Sequence, residues 1–167
     1  MRNSKSGLLK LISFVFFVLL FSCSNLKAQH NDTLLYHPFD NAKEAIGLAA
    51  KKAKQENKMV LLQIGGNWCK WCIEFNRFCK ANPTIDSLLK ADYVVYHLNY
   101  SKENKNEEIL TSLQYPNRFG FPVFVILDGN GSRVHTQNSS YLEEGKSYSE
   151  EKIIDFLKGW NYKALHP

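Results

Sequence analysis

Two cysteines separated by two residues carry the clearest chemistry in this sequence. Cys69-Lys70-Trp71-Cys72 follows a nearly continuous apolar segment, Met59 to Ile64, and the turn residues Gly65-Gly66-Asn67. Such an apolar run is typical of a strand buried on both faces of a sheet, so the cysteines are predicted to open the next helix. Unpaired N–H groups and the positive end of the dipole at a helix N-terminus stabilise a thiolate, the reactive form of cysteine.

The spacing of the pair suggests a division of roles. A three-residue offset puts Cys72 about one helical turn beyond Cys69 on the same face, close enough for a disulfide. Cys69 is therefore predicted to attack, and Cys72 to resolve the mixed disulfide. A permanent structural disulfide, a metal site and simple core packing stay open as alternatives. A closed zinc site needs four ligands, and Cys79 and His97 would have to supply the other two.

The N-terminal residues have the pattern of an export signal. Met1 to Lys10 carries three positive charges and no acid, and the eleven residues Leu11 to Phe21 are apolar except for Ser13. This apolar run is shorter than the about 20 residues that cross a bilayer as a helix. The sequence predicts a signal peptide over residues 1–22, or alternatively 1–28, and a short flexible linker over 23–33.

The two boundaries give Cys23 different fates. Leu20-Phe21-Ser22-Cys23 resembles a bacterial lipobox, which implies that Cys23 is lipidated and becomes the mature N-terminus. Cleavage after Ala28, at a small residue, is the alternative, and an uncleaved membrane anchor is a third interpretation. Both cleavage sites place the mature protein outside the cytosol, where glutathione does not keep disulfides reduced.

Composition and charge exclude several classes of protein. The 167 residues are 44% hydrophobic and 22% charged and include 4 cysteines, which excludes a disordered tail, a collagen-like fibre and a small disulfide-stapled scaffold. Of the 21 basic residues, three lie in the predicted signal peptide, which leaves 18 against 16 acidic residues. A small excess spread along the chain makes no phosphate-binding surface, so no nucleic-acid partner is expected.

The rest of the chain alternates strands and helices. Asp40 or Asn41 is predicted to cap the first helix, Ser101–Glu108 and Ser139–Ser149 are predicted as polar loops, and Asp128-Gly129-Asn130-Gly131 as a hairpin turn. This order, with parallel crossovers first and an antiparallel hairpin last, predicts an α/β domain with a mixed sheet and helices on both faces. The predicted strands are 34–36, 59–64, 93–98, 123–127 and 133–136, and the later helices are 69–80, 84–90, 109–113 and 150–160.

Around the cysteine pair the sequence resembles the thioredoxin superfamily. The matching residues are Gly66 to Cys72, the strand before them, and Gly120-Phe121-Pro122-Val123 with the following hairpin. The resemblance covers most of residues 34–160 and is closest to secreted bacterial thioredoxin-like proteins with a W-C-x-x-C motif. It implies a thioredoxin-like domain over residues 34–163.

The resemblance also implies a substrate-binding surface beside the cysteines. The resemblance implies that the Phe121–Pro122 peptide is cis and that the Phe121 backbone pairs with an extended substrate segment. It also implies that Trp68 offers the substrate a flat apolar surface. From the residues alone, a trans Pro122 at a strand start is favoured, because a missing N–H costs nothing there. Trp68 and Trp71 are equally compatible with plain packing.

This chain departs from the thioredoxin pattern in two places. Gln63 stands where thioredoxins usually carry a buried acid, so proton relay to Cys72 must use water, Glu74 or another group. The Lys70-Trp71 dipeptide leaves the reduction potential open between about −270 and −120 mV.

Cys79 lies about 10 Å beyond Cys72 along the helix and is predicted as a buried small hydrophobe. A third redox cysteine is the alternative.

Together these features predict an exported thiol–disulfide oxidoreductase of the bacterial cell envelope, of the reductase or isomerase type. It would need no organic cofactor and no metal. Its expected partners are disulfide-containing envelope proteins and a membrane thiol electron donor. Two competing predictions stay open: an oxidase, and a thioredoxin-fold binding or scaffold protein whose Cys69–Cys72 disulfide is only structural.

Overall fold

The computed structural model describes residues 34–167, so the predicted signal peptide, the linker over 23–33 and Cys23 lie outside the described residues. Short 3-10 turns span Pro116–Phe119 and Ser139–Leu142. In chain order the helices and strands are α1 (Ala42–Glu56), β1 (Met59–Gly65), α2 (Lys70–Ala81), α3 (Pro83–Asp92), β2 (Tyr93–Asn99), α4 (Glu107–Ser112), β3 (Val123–Leu127), β4 (Arg133–Asn138), β5 (Glu143–Glu144), β6 (Ser147–Tyr148), α5 (Glu150–Gly159) and α6 (Tyr162–Leu165).

Four of these strands form one mixed sheet in the order β2-β1-β3-β4. Strand β1 is parallel to β2 and antiparallel to β3, which is antiparallel to β4. Every residue of the two central strands is buried, as their nearly unbroken apolar sequences predict. The predicted mixed sheet with its final hairpin is confirmed.

The two faces of the sheet bury separate hydrophobic cores. Alternate residues of β1 point to opposite faces. Val60, Leu62 and Ile64 pack with the alanine face of α1, whereas Met59 and Leu61 pack with residues of α2, α3 and α5. Helices therefore cover both faces of the sheet. The carboxyl end of β1, which leads into the cysteine pair, lies between the two cores.

Local signals in the sequence fix the helix boundaries. Asn41, one of the two predicted caps, accepts a hydrogen bond from the Glu44 N–H at 3.2 Å. Asn82 caps α3 through the N–H groups of Thr84 and Ile85, with a proline at the first helical position. None of the helices among residues 34–167 is long and apolar enough to cross a membrane.

The structure differs most from the sequence prediction in two segments. Residues 34–36 are not an edge strand but an irregular segment, because the Asn67 side chain takes the place of a neighbouring strand: it accepts from the Tyr36 N–H and donates to the Tyr36 carbonyl. Residues 139–149 are not a plain loop. They form a 3-10 turn and the β5–β6 hairpin, anchored by the buried side chains of Leu142 and Tyr148.

His97 on the edge strand β2 makes stability depend on pH. Burial lowers the pKa of His97 from 6.5 to about 4, with smaller contributions from Lys80 and His37. Between these two pH values the unfolded chain therefore binds a proton that the folded chain does not. The contribution of neutral His97 to the free energy of unfolding is fully present above pH 6.5. It is lost as the pH falls to about 4.

We therefore expect the free energy of unfolding to fall by up to about 3 kcal/mol across that interval. Urea denaturation at a series of pH values measures this slope, and a His97→Gln variant should lack that part of it. Equal slopes in the two proteins would show that His97 is not the group responsible.

Candidate active site

Cys69 and Cys72 form a disulfide at the start of α2, with a Cα–Cα distance of 5.2 Å. Cys69 is the N-cap residue of the helix, and its Sγ accepts a hydrogen bond from the Cys72 N–H at 3.1 Å. Cys69 is 5% exposed and Cys72 is fully buried. The pair thus occupies the predicted position, and Cys69 is the more exposed of the two residues.

Two glycines allow β1 to end against the disulfide. A Cβ at Gly65 would lie closer to the Cys72 Sγ than real Cβ atoms approach other heavy atoms. A Cβ at Gly66 would collide in the same way with the Trp68 indole nitrogen and the Tyr100 carbonyl oxygen. Both positions therefore require glycine for close approach, which is more specific than the turn that the sequence predicts.

Trp68 lies on the surface, beside the disulfide, in a fixed aromatic group. It is 56% exposed, and its Nε1–H donates to the Tyr100 carbonyl at 2.7 Å. Its ring meets Phe121 edge-on at 5.5 Å, and Phe121 stacks on Tyr100 at 4.7 Å. Trp68 is thus not a buried core residue. Tyr100 also belongs to this aromatic group, and sequence reasoning missed it.

The Phe121–Pro122 peptide is cis, as the resemblance implies and contrary to what the residues alone favour. Pro122 is buried just before β3, and Phe121 packs against the buried cluster of Cys69, Cys72 and Tyr36. The structure therefore brings Trp68, Phe121 and the cysteine pair together, although they are separated by about a third of the chain.

Gln63 holds the backbone of the second cysteine. It is 2% exposed, and its Nε2 donates to the Cys72 carbonyl at 2.9 Å. An amide has no titratable proton, so this side chain supports the first turn of α2 without taking part in acid–base chemistry.

Glu74, one of the groups considered for proton relay to Cys72, is hydrogen-bonded to other side chains. Its carboxylate accepts two hydrogen bonds from Arg77, at 2.8 and 2.7 Å, and one from Ser147 at 2.6 Å. These partners, Arg77 first, lower the pKa of Glu74 to about 2. A carboxylate that stays ionised in this way is a poor base at neutral pH, and it serves to tie β6 to α2.

The β5–β6 hairpin also braces the cysteine motif. The Tyr148 hydroxyl donates to the Trp71 carbonyl at 3.1 Å, and the Tyr148 ring meets Trp71 and Phe75 edge-on at 5.4 and 5.1 Å. Trp71 is therefore a packing residue of the motif. Sequence reasoning missed Tyr148 because it lies in a segment that is otherwise polar.

Cys79 is a free cysteine, 4% exposed, as predicted for a small buried hydrophobe. Burial and, to a smaller extent, Asp86 raise its pKa to about 12. Among residues 34–167 no group of three or more His, Cys, Asp or Glu side chains is placed to bind a metal ion.

This pKa predicts that Cys79 is inert in the folded protein. Iodoacetamide should alkylate it at least about 100-fold more slowly than a free cysteine, because the thiolate is the reactive species. Mass spectrometry of the oxidised protein, with and without denaturant, measures the difference. Rapid labelling without denaturant would place Cys79 among the reactive thiols instead.

Comparison with known proteins agrees with this architecture. A family model described as thioredoxin-like matches residues 42–129, more than half of the chain. A disulphide isomerase from Xylella fastidiosa Temecula1 superposes with a TM-score of 0.65 at 23% identity, covering 75% of this chain and 95% of that one. No curated protein matches the sequence.

Two further solved structures are similar over a smaller core. One is a thioredoxin from Thermus thermophilus, with a TM-score of 0.48 and 21% identity over 66% of this chain and 79% of that one. The other is the DsbD c-terminal domain of Neisseria meningitidis in the oxidised form, with a TM-score of 0.45 and 16% identity over 70% and 91%. Since the matched residues 42–129 contain α1, the cysteine pair, the cis proline and β3, the chain belongs to the thioredoxin-like family.

Proposed function

We propose that this protein is a thiol–disulfide oxidoreductase, of the reductase or isomerase type, that acts on protein disulfides through Cys69 and Cys72. The observation that carries the proposal is the position of Cys69 at the N-cap of α2, where its sulfur accepts the Cys72 N–H. In the reduced protein the same N–H and the helix dipole stabilise a thiolate at Cys69.

The reaction proceeds in two exchanges. The Cys69 thiolate attacks one substrate sulfur, the substrate S–S bond breaks, and the other substrate sulfur leaves as a thiolate that takes up a proton. Cys72 then loses its proton and attacks the Cys69 sulfur, which releases the second substrate sulfur and forms the Cys69–Cys72 disulfide. The substrate has gained two electrons and two protons, and the enzyme has become oxidised.

Trp68, Phe121 and Pro122 form the proposed substrate-binding surface. The exposed Trp68 ring is held in place by its hydrogen bond to the Tyr100 carbonyl and by Phe121. A rigid, half-exposed aromatic side chain next to a reactive sulfur is suited to contact apolar residues that flank a substrate cysteine. The Phe121 backbone is the proposed partner for an extended substrate segment.

The proposed place of action is the bacterial cell envelope. The basic and apolar N-terminal pattern supports export, with either lipidation at Cys23 or cleavage after Ala28. The proposed partners are disulfide-containing envelope proteins and a membrane thiol donor that returns two electrons to the Cys69–Cys72 disulfide. The mass of the mature N-terminal peptide distinguishes the two processing sites.

The equilibrium reduction potential of the Cys69–Cys72 pair against glutathione tests the direction of electron flow. A potential near about −270 mV agrees with reductase work, whereas one near about −120 mV indicates an oxidase. A folded protein whose disulfide resists dithiothreitol, and which does not reduce insulin, would instead support a scaffold whose disulfide is structural.

A further inference from the structure

Among residues 34–167 the Tyr36 hydroxyl is a buried polar group without a hydrogen-bond partner. The residue is 0% exposed, and no atom of residues 34–167 meets its Oη in hydrogen-bond geometry. Buried hydroxyls are paired in the great majority of cases, because an unpaired one forgoes its hydrogen bonds to water. An exception in the wall of an active site therefore calls for a physical explanation.

The Tyr36 hydroxyl and the Cys72 sulfur border the same small space beside Gly65. A Cβ at Gly65 would lie 3.0 Å from the Tyr36 Oη and closer still to the Cys72 Sγ. The Tyr36 Oη and the Cys72 Sγ are therefore less than about 6 Å apart. Tyr36, Cys69 and Cys72 also form one buried cluster. The hydroxyl and the buried sulfur are thus neighbours across this space.

The structure holds Tyr36 in this place from two sides. Asn67, which immediately precedes Trp68 in the cysteine-bearing loop, accepts from the Tyr36 N–H at 3.1 Å and donates to the Tyr36 carbonyl at 2.8 Å. The ring packs edge-on against His97 at 5.5 Å. This double hydrogen bond couples the position of Tyr36 directly to the loop that leads into the disulfide.

We infer that Tyr36 donates a hydrogen bond to the Cys72 sulfur once the disulfide is opened, and so favours the thiolate that resolves the mixed disulfide. A disulfide sulfur is a weak acceptor, whereas a thiolate is a strong one, which accounts for a hydroxyl without a partner in the oxidised state. The inference rests on the proposed function, since it concerns the second exchange.

Tyr36 is a donor here and not an acid. Burial raises the pKa of its hydroxyl, so the phenol keeps its proton at neutral pH. During the second exchange the Cys72 proton passes to solvent, and the departing substrate thiolate takes one up. The hydrogen bond lowers the free energy of the Cys72 thiolate while the phenol proton stays on Tyr36.

Three titratable side chains near this space have pKa values displaced away from neutral pH. Burial lowers the pKa of His97 on β2 to about 4. Burial raises the pKa of Tyr148 on β6, and the pKa of Glu74 on α2 is lowered to about 2. None of these three groups therefore accounts for a titration between pH 6 and 10 in the resolving step.

Two-phase reaction with one equivalent of the aromatic disulfide DTNB tests the inference. The full chain is used with Cys23→Ala and Cys79→Ala, so that only the pair reacts. Attack by Cys69 releases the first thionitrobenzoate, and resolution by Cys72 releases the second. We expect Tyr36→Phe to leave the first phase unchanged, to slow the second about 10-fold at neutral pH, and to raise its pH midpoint by about one unit.

Tyr93→Phe is the matched control, because Tyr93 is also buried but its hydroxyl donates to the Leu157 carbonyl at 2.6 Å. It should lower the free energy of unfolding and leave both phases unchanged. Tyr36→Phe, by contrast, should not destabilise the oxidised protein, since it removes a hydroxyl that has no partner there. A destabilised Tyr36→Phe protein with a normal second phase would assign Tyr36 a purely structural role.

The outcomes separate the inference from the proposed function. A normal first phase with an unchanged second phase in Tyr36→Phe overturns the inference alone, whereas a parent protein without a first phase overturns the proposed function. Should Tyr36→Phe not fold, 3-fluorotyrosine at position 36 gives a second measurement. As a stronger donor it should accelerate the second phase, and an unaltered rate would overturn the inference.

Discussion

Cys69→Ser should lower the rate of insulin disulfide reduction by at least about 1,000-fold, to the uncatalysed background. A serine hydroxyl is protonated at neutral pH and cannot form the mixed disulfide through which electrons move. The side chain at the N-cap of α2 keeps its hydrogen-bond acceptor in this variant, so the helix start should remain intact. Turbidity of reduced insulin, with dithiothreitol as electron donor, measures the rate.

Cys79→Ser is the matched control for the loss of a thiol. Cys79 is buried and free, and it lies on the same helix, so its replacement should leave the rate within about two-fold of the parent protein, provided that the fold survives. Circular dichroism confirms folding of both variants. Insulin reduction that persists in Cys69→Ser would remove the proposed mechanism.

Cys72→Ser should keep the first attack but lose turnover, by at least about 100-fold. Cys69 still forms a mixed disulfide with the substrate, and the serine at position 72 cannot displace it. The covalent adduct therefore accumulates to one equivalent, which non-reducing electrophoresis and intact-protein mass spectrometry detect. Peptide mapping should place the substrate on Cys69.

The double variant Cys69→Ser with Cys72→Ser provides the control, and no adduct should form on it. Rapid release of reduced substrate from Cys72→Ser alone would mean that another thiol resolves the intermediate. Cys79 is the thiol to examine in that event, and its high pKa argues against it.

The elements that position the cysteines could be predicted because their signals are local. The sequence predicts strand β1 over residues 59–64, and the strand spans Met59–Gly65, since its apolar run needs no distant partner to be recognised. The helix start at Cys69 follows from the glycines and the end of that run. The cis Pro122 came from the family resemblance, because a proline at a strand start is ordinarily trans.

Tyr36 and Asn67 could not be connected from the sequence. The run Leu34-Leu35-Tyr36 has the composition of a strand, yet a single amide 31 residues away satisfies the Tyr36 backbone in place of a sheet neighbour. No periodic pattern encodes such a contact. The part of the site that faces Cys72 therefore emerges only once the fold is known.

The β5–β6 hairpin could not be predicted from the sequence, for a different reason. Residues 139–149 are mostly polar, and only Leu142 and Tyr148 carry buried apolar side chains. Their contacts are with distant elements, as the hydrogen bond from Tyr148 to the Trp71 carbonyl shows. Two buried apolar side chains are too few to define a helix or strand period, so tertiary packing decides the structure of this segment.

The central claim is that Cys69 is held as a thiolate at the start of α2, and the pH dependence of its alkylation tests this most directly. The reduced protein is labelled with iodoacetamide across a pH series, and mass spectrometry follows Cys69 by itself. We expect a midpoint clearly below the ordinary pKa of a free cysteine, about 8.5, and rapid labelling at neutral pH. A midpoint at or above that value, with slow labelling at neutral pH, would contradict the account.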